Sequence, residues 1–288
     1  MNIDAHQHYW KLSRGDYGWL TPELGPLYRD YGPDELAPLL AREGFFRSIV
    51  VQAAPTLAET EYLLDLCERE ATLAGAVGWV DLEEERVEET LDRLLASPYL
   101  LGIRPMLQDL ADDRWIERPR VIRGLRAASE RGLTLDVLVR PPQMAAAARA
   151  LEQVPELRAV LDHIGKPDMA AGSRRRVWSD GLRELAARPR TACKLSGLVT
   201  EAGAGWSPET VRPHAEEALE RFGPERVLFG SDWPVCLPAA EYGEVAELAR
   251  TLLPASWSEA QRRDAFGGNA ARWYGLGVAS GWRGRASR

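Results

Sequence analysis

Apolar and polar positions along this chain follow two alternating rhythms from end to end. Short apolar runs of strand length occur at 2–8 (NIDAHQH), 48–54, 73–82, 100–106, 133–141, 157–165, 191–198 and 226–234. They are continuously apolar, as strands covered on both faces are. Between most of them the period becomes helical. In EEERVEETLDRLLA, Val87, Leu91, Leu94 and Leu95 form one apolar stripe. PRVIRGLRAASERG ends on Gly132, and a third helix is predicted from an N-cap at Ser207, with Pro208 at its first position, to a stop at Gly223. The pattern is weakest from Tyr9 to Ala41, which predicts a long first loop followed by a short helix over Asp34–Arg42. Eight strands alternating with helices predict an α/β fold, a single-domain (β/α)8 barrel over residues 1–276, in preference to an open doubly wound sheet. The Gly-, Ser- and Arg-rich tail 277–288 is expected to be disordered.

Composition narrows the partners. The 288 residues are 45% hydrophobic, and 36 Lys and Arg stand against 43 Asp and Glu, a net charge of −7. That balance argues against nucleic acid or an anionic membrane as partner. Cys67, Cys193 and Cys236 are widely and irregularly spaced, without a CxxC pair, which suits a reducing compartment. Neither a leader segment nor a run approaching the roughly 20 apolar residues of a membrane span is evident. A soluble cytoplasmic protein is the expectation.

Seven of the eight strand-like runs carry a polar residue near their end: His6 and His8, Gln52, Arg104, Asp136, His163, Lys194 and Asp232. Barrel enzymes carry their chemistry on inward side chains at these ends. Strand alternation puts His6 and His8 on one face, and two neutral imidazoles side by side suit a divalent metal. The same alternation puts His163 with Ala159 and Leu161 and turns Asp162 away; Asp232 shares a face with Gly230 and Leu228. Taken singly, Asp232 could be a helix cap, His163 a core histidine, and Lys194 and Arg104 partners in a buried ion pair. Convergence from several strands makes those readings untenable together for His6, His8, His163 and Asp232. His214, on the 207–223 helix, reads as a surface or packing residue. The SRRR run at 173–176 reads as solvated charge, and GKP at 165–167 lacks the glycines of a phosphate loop. Trp10, Trp79, Trp206 and Trp233 lie at or after strand ends and would either wall a sugar pocket or cover the barrel top.

An HxH pair ending the first strand, a histidine ending a middle strand and an aspartate ending the eighth resemble the amidohydrolase superfamily. DAHQHYW, VVQAAP, GWVDL, GIRPMLQD, LVRP, DHIGKP, CKLSGLVTEA, FGSDWPVC and GGNAARWYGL, in order from residue 2 to about 276, resemble its sugar-lactonase branch. The resemblance implies a distorted TIM barrel that hydrolyses an aldono-lactone of the L-fucono or L-rhamnono type. It also implies one divalent ion, zinc, which some relatives dispense with. Arg104 stands where binuclear members carry a bridging Lys or Glu, which argues against two metals.

The expected assignments are Asp232 and His163 as catalytic residues and His6, His8, Asp232 and His163 as metal ligands. Arg104, Lys194, Gln52 and Trp79 would contact a small sugar lactone. Two alternatives stand beside this: a carboxylate-lactone (pyrone dicarboxylate or muconolactone) hydrolase or decarboxylase, and a non-catalytic sugar-binding barrel. The first would require several inward arginines, and only Arg104 and Arg140 qualify by strand parity.

Overall fold

The computed structural model describes residues 2–169, 175–203 and 205–276. Eight parallel strands pair in sequence order: β1 (Ile3–Gln7), β2 (Arg47–Val51), β3 (Leu73–Gly78), β4 (Leu100–Ile103), β5 (Thr134–Val137), β6 (Arg158–Leu161), β7 (Thr191–Leu195) and β8 (Val227–Phe229). The ring closes beyond β8. Asp232 N donates to the His6 carbonyl over 2.8 Å and His8 N to that of Trp233 over 2.7 Å. This is the single-domain (β/α)8 barrel that the alternation predicts. The strands are shorter than the apolar runs, because several segment ends leave the sheet to serve the site.

Helices α1 (Pro33–Arg42), α2 (Leu57–Arg69), α3 (Val87–Leu94), α4 (Pro119–Glu130), α5 (Met144–Gln153) and α6 (Arg175–Ala186) surround the barrel. They are followed by α7 (Leu198–Ala202), α8 (Pro208–Phe222), α9 (Tyr242–Leu252), α10 (Glu259–Arg263) and α11 (Asn269–Trp273). The predicted signals act where expected. Ser207 caps α8 by accepting from Thr210 N, Pro208 opens it, and Gly223 ends it at φ 68°. The loop before α1 holds two short 3-10 turns, Leu12–Arg14 and Pro22–Leu27. His214 packs in α8 with its ring 5.3 Å from that of Trp178, and Arg175 donates to its Nε2 over 3.0 Å. That agrees with the packing role expected for it. Ser173, Arg174 and the tail 277–288 lie outside the described residues. Among the described residues no helix is long and apolar enough to cross a membrane.

Two apolar cores result. The outer one joins helix residues such as Leu36, Leu63, Leu91, Leu125, Leu182 and Leu219 to outward strand residues such as Val50, Ala76, Ile103, Leu135 and Phe229. The inner one is small: Ile3, Ala5, Ile49, Val51, Val77, Val160, Ala192 and Leu228, capped below by Ala270 and Tyr274. The segment around α11 plugs this floor. Thr134 Oγ1 donates to the Trp273 carbonyl over 2.9 Å, and Asn269 Nδ2 donates to the carbonyls of Pro224 and Val227. Above the inner core, the barrel interior is polar.

Candidate active site

A break in strand regularity delivers the first histidine. Between the Asp4–Ser48 and Gln7–Val50 pairs β1 places two residues, Ala5 and His6, against one of β2, Ile49, a bulge. Ile3 and Ala5 face inward below it, while Gln7 reaches outward, its Nε2 donating to Ser48 Oγ over 3.1 Å. The phase shift turns both His6 and His8 inward. His163 arrives differently. Val160 faces the inner core and Ala159 and Leu161 the outer one, so Asp162 is the inward residue of β6. This corrects the expectation that Asp162 points away. His163 then returns to the interior because the backbone leaves the strand at φ 52°. Asp232 also has a positive φ, 59°. Two glycines make room for the rings: a Cβ on Gly197 would lie 2.6 Å from His163 Nδ1, and one on Gly230 would lie 2.5 Å from His6 Cβ.

The four residues converge. His6 Nε2 and His8 Nε2 are 3.2 Å apart. Asp232 Oδ1 lies 3.7 Å from His6 Nε2, 3.4 Å from His8 Nε2 and 3.9 Å from His163 Nε2. Donors about 2.0–2.2 Å from a tetrahedral ion stand about 3.3–3.6 Å from one another, so His6, His8 and Asp232 fit one such ion. His8 Nδ1 is 2.7 Å from the Val51 carbonyl, which can only accept. Its Nε2 therefore carries a free lone pair when the ring is neutral. His6 has two competing neighbours at Nδ1, Lys194 Nζ at 3.0 Å and Asp162 Oδ1 at 3.4 Å. With Asp162 accepting from Nδ1, His6 Nε2 is free to ligate.

Beneath the histidines lies a layer of paired charge. Lys194 Nζ is 2.5 Å from Asp136 Oδ2 and 3.0 Å from Asp162 Oδ1. Arg104 Nη1 donates to Asp162 Oδ2 over 3.1 Å and lies 3.4 Å from His6 Nε2. Arg104 and Gln52 clamp each other. Arg104 Nη2 donates to the Gln52 carbonyl, and Gln52 Nε2 donates to that of Arg104 over 2.8 Å. Inside the barrel, Asp136, Asp162 and Asp232 face Arg104 and Lys194, a balance with room for a cation.

Burial would push the Asp232 carboxyl up, but His163, His8 and His6 outweigh it and hold it below the usual carboxylate range. Burial pushes His163 down to about 4, although Asp232 and Asp162 pull the other way. Burial, then the charge of Lys194, holds His6 well below its ordinary value. At neutral pH the site thus presents an ionised carboxylate beside neutral His6 and His163 rings.

The remaining expected contacts are placed unevenly. Lys194 is wholly buried and surrounded by protein acceptors, which favours the buried ion-pair reading over a substrate contact. Gln52 Oε1 is buried with no hydrogen-bond partner among the described residues, and so is Arg104 Nε. Trp79 follows β3 at the rim, its backbone tied in both directions to Thr60 Oγ1. Trp10 and Trp233 are buried and pack on Tyr31, as covers of the barrel top would. Arg140 lies 4.0 Å from Asp109 with its side chain 59% exposed.

Sequence reasoning missed Ser196, whose Oγ is 2.9 Å from His163 Nδ1. The SG pair in KLSGL is its only trace: a hydroxyl and a missing side chain at one strand end.

Residues 3–276 match the amidohydrolase family model. The chain is 42% identical over 287 residues to an L-fucono-1,5-lactonase of Burkholderia ambifaria, covering 97% of each sequence. It is 41% identical to an L-fucono-1,5-lactonase of Burkholderia multivorans, covering 96% of each. A crystal structure of an amidohydrolase from Burkholderia multivorans with bound Zn superimposes with a TM-score of 0.91 at 39% identity, covering 96% of this chain and 99% of that one. The chain belongs to the amidohydrolase family.

Proposed function

We propose that this protein is a lactonase that opens the cyclic ester of an aldonic acid, an L-fucono- or L-rhamnono-type lactone, in carbohydrate catabolism. One observation carries the reading: a buried, ionised Asp232 lies against three histidines at the barrel mouth, in a chain aligned nearly end to end with L-fucono-1,5-lactonases.

Asp232 takes a proton from water as the water oxygen bonds to the ester carbonyl carbon. The resulting oxyanion meets the cationic edge of Arg104 and His163, whose Nε2–H can donate when Ser196 donates to Nδ1. Collapse breaks the bond to the ring oxygen, and Asp232 returns its proton to that oxygen. Water is thereby added across one acyl–oxygen bond. The unpartnered Gln52 Oε1 accepts from a ring hydroxyl, and Trp79 covers the sugar at the rim. A zinc ion bound by His6, His8 and Asp232 would polarise the carbonyl or acidify the water, and His163 Nε2 would be a fourth ligand in place of its hydrogen bond when the proton sits on Nδ1. Arg104 and Lys194 already place positive charge beside His6, which argues against a second divalent ion.

A carboxylate lactone would need free arginines to replace its hydration. Among the described residues, Arg104 is engaged by Asp162 and Gln52, and Arg140 is at the surface, so a neutral polyol ring fits better. The test is a proton-release assay across aldonolactones, hydantoins, dihydropyrimidines and pyrone dicarboxylates, with and without a chelator, beside metal analysis. Fastest turnover on an aldonolactone and no more than one tightly bound ion per chain are expected. Preference for a cyclic amide or a dicarboxylate would overturn the substrate, and two ions per chain would overturn the single-metal site.

A further inference from the structure

A column of polar contacts runs from the active site to the barrel floor, and its lowest member comes from the C-terminal segment. Tyr274, one residue past α11, donates its hydroxyl to Asp136 Oδ1 over 2.6 Å. The other oxygen of Asp136 accepts from Lys194 Nζ at 2.5 Å. Lys194 Nζ lies 3.0 Å from His6 Nδ1 and 3.0 Å from Asp162 Oδ1. His6, Asp136, Asp162 and Lys194 are 0% exposed and Tyr274 is 3% exposed, so water does not substitute for any of these contacts.

Lys194 Nζ donates to Asp136 and pairs with Asp162 Oδ1, the carboxylate beside His6 Nδ1. Its long flexible stem gives it no orientation of its own, so these two carboxylates fix where the ammonium lies, 3.0 Å from His6 Nδ1. Asp136 is in turn held from below by Tyr274. A tyrosine that only plugged the floor would gain nothing from its hydroxyl, since burying that group costs free energy unless it is paired.

We propose that Tyr274 is a positioning residue of the active site, which acts through Asp136 and Lys194 to fix the ring of His6. The proposal rests on the reading of His6 and Asp232 as part of a lactonase centre. The floor segment therefore does two jobs, closing the inner core through Ala270 and setting the histidine geometry through Tyr274.

The test compares Tyr274→Phe with Thr134→Ala. The second variant removes another hydrogen bond that docks the same segment, Thr134 Oγ1 to the Trp273 carbonyl, without touching the column. In Tyr274→Phe, kcat on the best aldonolactone should fall about tenfold, as losses of supporting partners do. KM should be unchanged, and the imidazole 15N resonances of His6 should move. Thr134→Ala should lower thermal stability while leaving kcat and the His6 resonances at wild-type values. Asp136→Asn, read by the same resonances, repeats the test from the other side of the Tyr274 bond should the phenylalanine variant fold poorly. The idea is overturned if neither column variant moves the His6 resonances, or if Thr134→Ala moves them equally. The resonances are read without substrate, so failure of the lactonase reading would show in the turnover assay alone.

Discussion

Leu91 and Lys194 are equally sealed from water, but they belong to regions built by different rules. Leu91 lies in the shell between helices and strands, where many aliphatic side chains share one loss. Lys194 lies inside the barrel, where each charge has named partners at fixed distances. The shell is redundant and its cost of damage is counted in stability. The interior is specified contact by contact, and its cost of damage is counted in chemistry.

The strongest break of this contrast is Asp232→Asn. It should lower lactone turnover by about 10²–10⁴-fold, the range of general-base catalysis, while the far-ultraviolet circular dichroism spectrum stays that of the wild type. Near-normal turnover would reduce Asp232 to a strand-end cap. The converse change, Leu91→Ala, should cost about 2–5 kcal/mol in urea unfolding and leave kcat/KM within about twofold. A large loss of activity without loss of stability would erase the distinction.

Glu59 sharpens the contrast from between the two regions. On α2, its carboxyl accepts N–H bonds from Ala53 and Ala54, just behind Gln52. Burial pushes it up to about 7 from 4.5. The native chain thus keeps a proton that the unfolded chain releases, and this group's contribution to stability falls as pH rises from 4.5 to 7. Glu59→Gln has no proton to lose. Its stability relative to wild type should rise over that window by as much as about 3 kcal/mol. A pH-independent difference would show that Glu59 is ionised throughout.

The shell was the legible part of the sequence. The stripe through Val87, Leu91 and Leu94, the cap at Ser207 and the stop at Gly223 are local signals, and each acts as read. His6, His8 and Asp232 were also legible, because a polar residue ending an apolar run is a local signal too. Asp162 was misread because strand alternation was carried through residue 163, where the backbone turns to a positive φ. Lys194 was read toward substrate because parity shows which side chain faces inward but not how deep it lies. Tyr274 was invisible: its partner is 138 residues away on the opposite side of the inner core.

The seam of the ring has a consequence for how the protein is made. Ser231 N donates to Asp4 Oδ1, joining residues 227 apart, beside the two backbone bonds between 230–233 and β1. Strands emerge from the ribosome in order, so β1 waits with one edge unpaired through nearly the whole of synthesis. The two leading histidines lack the carboxylate that lies beside their Nε2 atoms until residue 232 arrives. If Asp232 is the base proposed above, hydrolysis can begin only when the last strand meets the first.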